Sequence, residues 1–470
     1  MDNLGPPSLS SQLRVCFVGL YANSLFSEKT YYQFGGAEVR SFLFSTALAR
    51  MTNHVVSYVV ADHGQPRFES LHGVGVYAHE GYRTSFGPRW IWGLREALAI
   101  AGPVFARTGQ FPYRRLLITN RRIVAEYALV RIFDWLVAGT RKARYFLSPS
   151  LWIGNYEISP VRFKVYEEID ADIYCVFGVT NLAGEVAAFC RNKGKRFVLF
   201  LADETNLDTA YTSGVLATNV YGDWFHVCQY AISHADLIIA QLESQRELLW
   251  QRFARKAITI RNPIDLTQSE LQVMAGPEAR KIALWIGRAD SFKKMPLLFI
   301  ELTKAFPNVE FVMVMNPHIP EVSHQVYYEK PDNVTIYEKV PYHQIDTYFA
   351  RAFVFVSTSL TEGFPNTFLQ AGRWGVPVLS YCVDPDNFIE RFDCGIVAHG
   401  DMANMIAGFK EIQADAMGPR RYSENMLNYV RQYHGLDDRT IEVDKALQEL
   451  AQQGASATGR LPMSIESAHD

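Results

Sequence analysis

Two cations follow an apolar run in the second half of the chain. The run at 282–286 is followed by the segment Gly287-Arg288-Ala-Asp-Ser-Phe-Lys293-Lys. We predict a strand for the run, and open α/β sheets bind ligands just past the carboxyl ends of their strands. Arg288 and Lys293 can there neutralise a departing diphosphate without a metal ion. Taken alone, the two cations are explained slightly better as members of surface salt bridges.

A second polar group follows the predicted strand 353–357. The sequence there reads Glu362-Gly363-Phe364-Pro365-Asn366-Thr367-Phe-Leu-Gln370. Pro365 is suited to open a helix, so Glu362 would lie in the loop and Gln370 about two turns into the helix. Eight helical residues span about 12 Å, the reach of a sugar-diphosphate-ribose unit. Glu362 can thus bind sugar hydroxyls and Gln370 ribose hydroxyls, with the amides between them facing the phosphates.

A glycine pair precedes a helical pattern near the amino terminus. Gly35 and Gly36 lie in a loop just before this pattern, which runs to Arg50. Without a Cβ, the backbone amides of a helix N-terminus can approach phosphate oxygens closely. A plain tight turn explains the pair about as well.

These groups need a scaffold that brings strand ends together. Short β-branched runs alternate with helical patterns, which predicts parallel sheets built from βαβ units. Asn262-Pro263 and a polar stretch around 274–277 separate two series of strands and indicate a linker. The fold class is therefore α/β, with two Rossmann-like, doubly wound domains facing across a cleft. The predicted strands are 13–20, 54–61, 173–177, 197–202, 237–240 and 257–260, then 282–286, 309–315, 334–337, 353–357 and 377–380.

The domain boundaries follow from this pattern. We expect one Rossmann-like domain at 13–272, a second at 279–419 and a helical stretch at 420–450. The ends at 1–12 and 451–470 are polar and are expected to be disordered.

Composition sets limits on the class of protein. A chain of 470 residues with 48% hydrophobic and 20% charged residues is globular and large enough for two domains. A net charge of −3 gives no reason to expect a nucleic-acid partner. The six cysteines are scattered, which favours reduced thiols over disulfides or a zinc site. No signal peptide and no apolar run of membrane-spanning length is recognisable, so we expect a cytoplasmic protein.

The segment 83–144 is basic and aromatic. It holds twelve Lys and Arg residues against three acidic ones, with aromatic residues interleaved. A stretch of this kind can lie on anionic lipid, which would make the protein peripheral on the inner membrane face. A helical hairpin that packs its aromatic residues on the N-terminal sheet fits the pattern equally well.

Taken together, the motifs carry a family resemblance. Gly35-Gly36-Ala-Glu38, Gly287-Arg288 with Lys293, and the nine residues from Glu362 to Gln370 resemble the retaining family of GT-B glycosyltransferases with a Glu-x7-Glu signature. This family, the group 1 glycosyl transferases, includes many bacterial enzymes of surface-polysaccharide assembly. The resemblance covers most of the chain and is strongest at 262–397.

The resemblance implies a role for each matching residue. Glu362 would bind the donor sugar, and Arg288 and Lys293 would hold the diphosphate, so these three are the predicted catalytic residues. The first domain would bind the acceptor, and the final helix would cross back onto it. Lys339-Val340 would contact the base through its backbone, and the glycine loop would close over the diphosphate. The predicted donor-binding residues are Gly35, Gly36, Gly287, Lys339, Val340, Gly363, Phe364, Pro365, Asn366, Thr367 and Gln370.

The sequence departs from the family pattern at two places. Gln370 stands where the family has its second glutamate, and a neutral amide makes weaker hydrogen bonds to ribose than a carboxylate does. The family also often places a histidine after a central strand of the first domain, whereas the stretch 177–181 has none. Thr180 or Asn181 would orient the acceptor instead.

We expect no metal ion and no cofactor besides the nucleoside-diphosphate sugar itself. Asp170-Ala-Asp172 looks like a metal motif, but it precedes a strand, and a solvated turn explains it better. The sequence contains no nucleophile elbow, no P-loop and no His-Glu-x-x-His.

The function implied is the retaining transfer of a sugar from a nucleoside diphosphate to a hydroxyl of a glycan or lipid-linked acceptor. Two alternatives stay open. One is other sugar-nucleotide chemistry on the same fold, such as epimerisation or phosphorolysis. The other is a catalytically silent scaffold that binds nucleotide sugar, an alternative favoured by Gln370 and the missing histidine.

Overall fold

The computed structural model describes residues 12–27, 34–83, 149–267 and 280–453. They form two α/β domains, each built around its own mostly parallel sheet, so the predicted fold class is confirmed. Several predictions lie outside the described residues: the linker at 274–277, the basic segment beyond Arg83, and the ends of the chain apart from Gln12 and 451–453.

The described part of the first domain contains ten strands. They are β1 (Arg14–Val18), β2 (Val55–Asp62), β3 (Phe68–Leu71), β4 (Val74–Arg83), β5 (Leu151–Ile153), β6 (Tyr156–Ile158), β7 (Ile173–Phe177), β8 (Arg196–Phe200), β9 (Leu237–Ala240) and β10 (Ile258–Thr259). Eight of them form one sheet in the order β10-β9-β8-β7-β1-β2-β4-β3, and β5 and β6 form a separate hairpin. All pairs in the large sheet are parallel except β3 with β4. The sequence analysis predicted neither β3–β4 nor the hairpin.

Helices cover both faces of this sheet. They are α1 (Asn23–Phe26), α2 (Gly36–Met51), α3 (Lys164–Ile169), α4 (Asn181–Lys193), α5 (Phe225–His234) and α6 (Glu243–Phe253), with 3₁₀ turns at Pro160–Phe163, Glu204–Leu207 and Thr209–Thr212. Val176 and Leu199 belong to the core on one face, and Cys175 and Val198 to the core on the other. The central strands β1, β7 and β8 are largely apolar because a parallel sheet covered by helices is buried on both faces.

The second domain has a six-stranded, wholly parallel sheet. Its strands are β11 (Ile282–Ala289), β12 (Glu310–Pro317), β13 (Val334–Tyr337), β14 (Ala352–Ser357), β15 (Val378–Ser380) and β16 (Gly395–Val397). Their order is β13-β12-β11-β14-β15-β16, the order of a Rossmann sheet. The direction of the strand order reverses between β11 and β14, and doubly wound sheets bind ligands at such a point.

Helices flank this sheet as well. They are α7 (Pro296–Lys304), α8 (Pro320–Glu329), α9 (Asp346–Phe349), α10 (Asn366–Arg373), α11 (Phe388–Arg391) and α12 (Met402–Met417), with 3₁₀ turns at Tyr342–Gln344 and Pro385–Asn387. Leu284 and Val312 pack in the core on one face, and Trp285 and Met313 in the core on the other. Within the described ranges, every helix is too short or too polar to cross a bilayer.

The chain passes between the domains a second time at its C-terminal end. We predicted one helix over 420–450, but the structure has two, α13 (Arg421–Tyr433) and α14 (Leu436–Gln453). α13 packs on α10, where Gly372 lets it approach, because a Cβ there would lie 2.8 Å from Met426 Cε. α14 packs against the first domain, and Val443 and Leu447 join its core. The break between α13 and α14, at 434–435, lies where the chain passes from the second domain to the first.

The chain passes between the domains near Ile264 and again near His434. His434 links these two segments by hydrogen bonds. The backbone of Ile264 accepts from Leu436 N at 3.0 Å and donates to His434 O at 2.8 Å. The buried His434 ring has Nδ1 2.7 Å from Asn262 O and Nε2 3.3 Å from the Tyr429 hydroxyl. A carbonyl accepts only, so Nδ1 carries the proton. Burial disfavours the charged ring, and Nε2 of the neutral ring accepts from the Tyr429 hydroxyl.

We predict that acid destabilises the fold through this ring. Burial lowers the pKa of His434 to about 3, below the ordinary histidine value. The unfolded chain takes up this proton below about pH 6.5, so stability is complete above that pH and falls as the pH decreases. At pH 5 the loss is about 2 kcal/mol for this one group. Urea unfolding of the wild type and H434Q at pH 7 and pH 5 tests this; equal losses in both proteins would contradict it.

Candidate active site

The predicted residues of the second domain gather at one edge of its sheet. Gly287 and Arg288 lie near the end of β11, and Glu362 follows β14, the neighbouring strand. One detail of the sequence analysis was wrong: Arg288 lies within β11 rather than past it. The strand continues to Ala289 because it stays paired with β12 as far as Pro317.

Asp290 organises the loop that carries the lysines. Its side chain is fully buried, and Oδ1 accepts from Lys293 N at 2.9 Å and from Lys294 N at 2.7 Å. Its other oxygen, Oδ2, lies 3.8 Å from Arg288 Nη2. The Asp290 carboxylate therefore fixes the backbone of residues 290–294, called the lysine loop below, and also pairs with Arg288.

Gly287 permits close packing beneath this loop. A Cβ at Gly287 would lie 2.8 Å from Trp285 Cη2 and 3.4 Å from Lys294 Cδ. Trp285 Nε1 donates to Thr358 Oγ1 at 2.9 Å, and that hydroxyl donates to Lys294 O at 2.7 Å. The end of β14 is thus fastened to the lysine loop through Thr358.

Glu362 lies between the two lysines. Lys294 Nζ is 2.6 Å from Glu362 Oε1, and Lys293 Nζ is 3.3 Å from Oε2. Burial alone would raise the pKa of Glu362, but Lys294 and Lys293 together lower it below the ordinary value. Burial would likewise lower the pKa of Lys293, whereas Glu362 and Asp203 together raise it. Both predicted residues are therefore charged, and the structure brings them into direct contact.

Asp203 is a site residue that the sequence analysis missed. It follows β8 in the first domain, and its Oδ2 lies 3.3 Å from Lys293 Nζ. Its Oδ1 accepts from Asn206 Nδ2 at 3.3 Å and from Thr205 Oγ1. The available signal was its place directly after a strand predicted at 197–202, at the ligand-binding end of a parallel sheet.

Gly363 marks the tightest approach of the two domains in this region. A Cβ on Gly363 would lie 2.6 Å from Ala202 O and 3.1 Å from Asp203 Cα, and it would also overlap the amide of Gln241. The loop after β14 therefore packs directly on the residues that follow β8 and β9.

The helix that carries Gln370 begins later than predicted. Pro365 is the N-cap residue of α10 and Asn366 its first residue, so Gln370 is one turn into the helix rather than two. Phe364 is buried, with its ring stacked on Phe388. Thr367 lies in the first turn, and Gln370 is only 6% exposed. The extended residues before Asn366 thus provide part of the spacing that we assigned to helix.

Asn366 connects the signature segment to the glycine loop. Its Nδ2 donates to Gly36 O at 2.8 Å across the domain boundary. Gly35 is the N-cap residue of α2, and its amide donates to Glu38 Oε2 at 2.8 Å. The predicted glycine pair therefore lies against the predicted donor helix.

Asn262 is a second residue that the sequence analysis did not assign to the site. Its buried side chain donates to Phe364 O at 3.1 Å and to Asn366 Oδ1 at 3.2 Å. Its Oδ1 accepts from Arg40 Nη1 at 3.1 Å, and Arg40 is itself buried in the first domain. We had interpreted Asn262-Pro263 only as a break in the strand pattern. A segment where the strand pattern stops between two domains is also a place from which a polar side chain can bond to both domains.

The proposed acceptor residues bond to the protein itself. Thr180 caps α4 by accepting from Ala183 N at 3.3 Å. Asn181 donates through Nδ2 to Gly222 O at 3.2 Å, and its Oδ1 accepts from Trp224 N at 2.9 Å. These bonds hold the loop before α5, and an acceptor role for either residue stays a prediction.

Lys339 and Val340 directly follow β13. Lys339 has a positive φ of 55°, which is unusual for a residue other than glycine, and Val340 packs on the core of the domain. Their position is at the ligand-binding end of the sheet, two strands away from β11. Contact with a base stays a prediction.

The Asp170–Asp172 motif lies at the opposite edge of the first sheet. Both residues precede β7, whereas ligands bind where the strands end. Asp170 pairs with Lys195 at 2.7 Å, and Asp172 Oδ2 accepts from Arg14 N at 2.8 Å. In the described part of the chain, no group of three or more His, Cys, Asp or Glu side chains is arranged to hold a metal.

A cavity of about 710 Å³ lies between the domains on the far side of Glu362. Six carboxylates and two arginines line it, and neither Arg288, Lys293 nor Lys294 does, so the lining has a net charge of −4. Tyr429, Tyr433 and Phe392 add aromatic surface. The cavity therefore suits an uncharged or cationic group better than an anion.

The family comparison agrees with this geometry. Residues 280–415 match the family model described as Glycosyl transferases group 1. No curated protein sequence matches the chain.

Several solved structures share the whole architecture. Sucrose-phosphate synthase from Thermosynechococcus elongatus superposes with a TM-score of 0.63 at 14% identity, over 94% of this chain and 100% of that one. HepE from Anabaena, in complex with UDP and glucose, gives a TM-score of 0.55 at 13% identity, over 93% and 99%. The catalytic domain of starch synthase IV from Arabidopsis thaliana gives 0.55 at 13%, over 95% and 100%.

Two facing Rossmann-like domains with these likenesses define a GT-B fold. The match to the group 1 glycosyl transferase model falls on the second domain. Fold and domain together indicate a glycosyltransferase.

We predict that G363A forces the domains apart. The added Cβ would overlap Ala202 O and the Gln241 amide, and such overpacking costs about 1–3 kcal/mol of the interdomain contact. Small-angle scattering should then show a larger radius of gyration. G418A, at the exposed end of α12, is the matched control. An unchanged radius in G363A would show that this contact does not set the distance between the domains.

Proposed function

We propose that the protein transfers a sugar from a nucleoside diphosphate to a hydroxyl of a glycan or lipid-linked acceptor, with retention and without a metal ion. The observation that supports this most is the contact of Glu362 with Lys293 and Lys294 at the ligand-binding end of β11 and β14. A carboxylate that can bind sugar hydroxyls stands beside cations that can bind a diphosphate. A nucleoside-diphosphate sugar has its sugar directly attached to its diphosphate, so its binding site needs such a carboxylate and such cations within a few ångströms of each other.

In this transfer the main task of the protein is to place positive charge where the departing phosphate becomes negative. The bond between the anomeric carbon and the diphosphate oxygen breaks, and a bond to the acceptor oxygen forms. The acceptor proton passes to the departing phosphate. Negative charge builds up on that phosphate, and Arg288, Lys293 and the amides at the start of α10 can stabilise it where it develops. Retention is proposed from the family resemblance, which implies attack on the face that the diphosphate leaves.

The relatives favour the same class of donor. HepE is described in complex with UDP and glucose, and starch synthase IV is described bound to ADP and acarbose. We propose a nucleoside-diphosphate sugar for this chain as well, with the base near Lys339 and Val340. Docking on an anionic membrane through 83–144 stays a prediction from the sequence, since that segment lies outside the described residues.

We predict that the two cations set diphosphate affinity. A hydrogen bond to a charged group contributes about 1.5–3 kcal/mol, so K293A or R288A should weaken diphosphate binding about tenfold to a hundredfold. The first measurement is a thermal-shift panel with UDP, GDP, dTDP, ADP and CMP, since a ligand at a hundred times its Kd stabilises by about 2.7 kcal/mol. Titration of the best ligand into each variant follows.

K304A is the control for these variants, because Lys304 is half-exposed on α7 and pairs only with Glu329 among the described residues. Wild-type affinity in both K293A and R288A would refute the site. Release of sugar that rises on adding an acceptor extract would separate transfer from epimerisation and from a silent scaffold.

We predict that the acidic cavity disfavours donors with acidic sugars. Its lining carries a net charge of −4 beside Glu362, so a carboxylate on the transferred sugar would be repelled. A neutral sugar nucleotide should therefore bind more tightly than its uronic-acid counterpart with the same base. E247Q, which removes one charge of the lining, should narrow the difference, and E69Q on β3, at the edge of the first sheet, should not. Equal affinities for both donors would show that the charge of the cavity does not act on the sugar.

A further inference from the structure

The charges around Lys293 balance one another. Arg288, Lys293 and Lys294 are the cations of the cluster, and each is paired with a carboxylate within 4.0 Å. The carboxylates are Asp290, Asp203 and Glu362. Three cations facing three carboxylates give a cluster with no net charge, which is a poor attractor for an anion as strongly charged as a diphosphate.

The three carboxylates differ in how they are attached. Asp290 is fixed by two amides of the lysine loop, and Glu362 follows β14 in the same domain. Asp203 alone belongs to the first domain, where Thr205 and Asn206 hold its Oδ1 and leave Oδ2 directed at Lys293. Separation of the domains would therefore remove one negative charge and no positive one. The cluster that stays with the second domain has a net charge of +1.

We propose that Asp203 is a positioning residue that occupies Lys293 in place of the diphosphate. The diphosphate and Asp203 compete for the same ammonium group, so donor binding requires that Asp203 gives up this contact. When the domains close over the bound donor, Asp203 comes back against the phosphates and repels them. The residue thus favours release of the nucleoside diphosphate after transfer. This inference rests on the proposed function, because it assumes that Lys293 binds a diphosphate.

Burial makes the competition strong enough to measure. The side chains of Lys293 and Asp203 are 14% and 18% exposed, so solvent and salt screen their interaction less than at the open surface. Couplings of this kind typically change affinity by about fivefold or more. Gly363 packs on the backbone of Asp203, so the carboxylate cannot easily turn away while the domains stay closed.

The test is the affinity for the nucleoside diphosphate that best stabilises the full-length protein. D203N keeps an oxygen acceptor for Thr205 and Asn206 but removes the charge. We expect D203N to bind the diphosphate about tenfold more tightly than the wild type does. A gain in affinity is informative because a merely structural role for Asp203 would produce a loss. In the K293A background the same substitution should change affinity less than twofold, as a double-mutant cycle requires.

E69Q is the matched control, since Glu69 lies on β3, five strands away from β8, and makes no ion pair among the residues described. It should stay within about twofold of the wild type, because its charge lies outside the cluster. If the wild type binds the diphosphate and D203N binds it no more tightly, the inference is overturned and the proposed function stands. An equal gain in E69Q would also overturn it. If neither the wild type nor D203N binds any diphosphate of the panel, the proposed function fails, and the inference fails with it.

Discussion

A lysine that is largely withdrawn from water needs a carboxylate partner, since burying an unpaired charge costs several kcal/mol. At the cleft of this protein, the carboxylates that meet this requirement connect the lysine loop to the rest of the site. Asp290 fixes the lysine loop, Glu362 ties the loop to β14, and Asp203 ties it to the first domain. The pairs of Lys293 with Glu362 and Asp203 favour its charged form, and Glu362 holds the two lysines close to each other.

Hydrogen bonds of polar side chains also connect the two domains. Asn262 and Asn366 make hydrogen bonds that link α2, the loop after β14 and the interdomain crossing. His434 holds the other crossing through the carbonyl of Asn262. A hydrogen bond between neutral groups contributes only about 1 kcal/mol, so no single one of these bonds holds the two domains together.

Much of the fold could be predicted from periodicity alone. The strands β7, β9 and β13 have the predicted ends, and most others differ by one to three residues. Strands buried on both faces are continuous apolar runs, which are visible in a sequence. The β3–β4 pair and the β5–β6 hairpin were missed, because polar residues and glycines interrupt β3 and β4, and β5 and β6 have only three residues each. The break at His434 was missed because the helical pattern continues on both sides of it.

The sequence alone determined the chemistry of the second domain. Gly287, Arg288, Lys293 and Glu362 lie near one another because each is close in sequence to the end of β11 or β14, and local pattern places those ends. Which groups of the first domain meet them was decided only by the tertiary structure. Asp203 and Asn262 lie about 90 and 100 residues from Lys293 and Phe364 along the chain. No local pattern encodes such contacts, since they arise from how two separately folded sheets pack across a cleft.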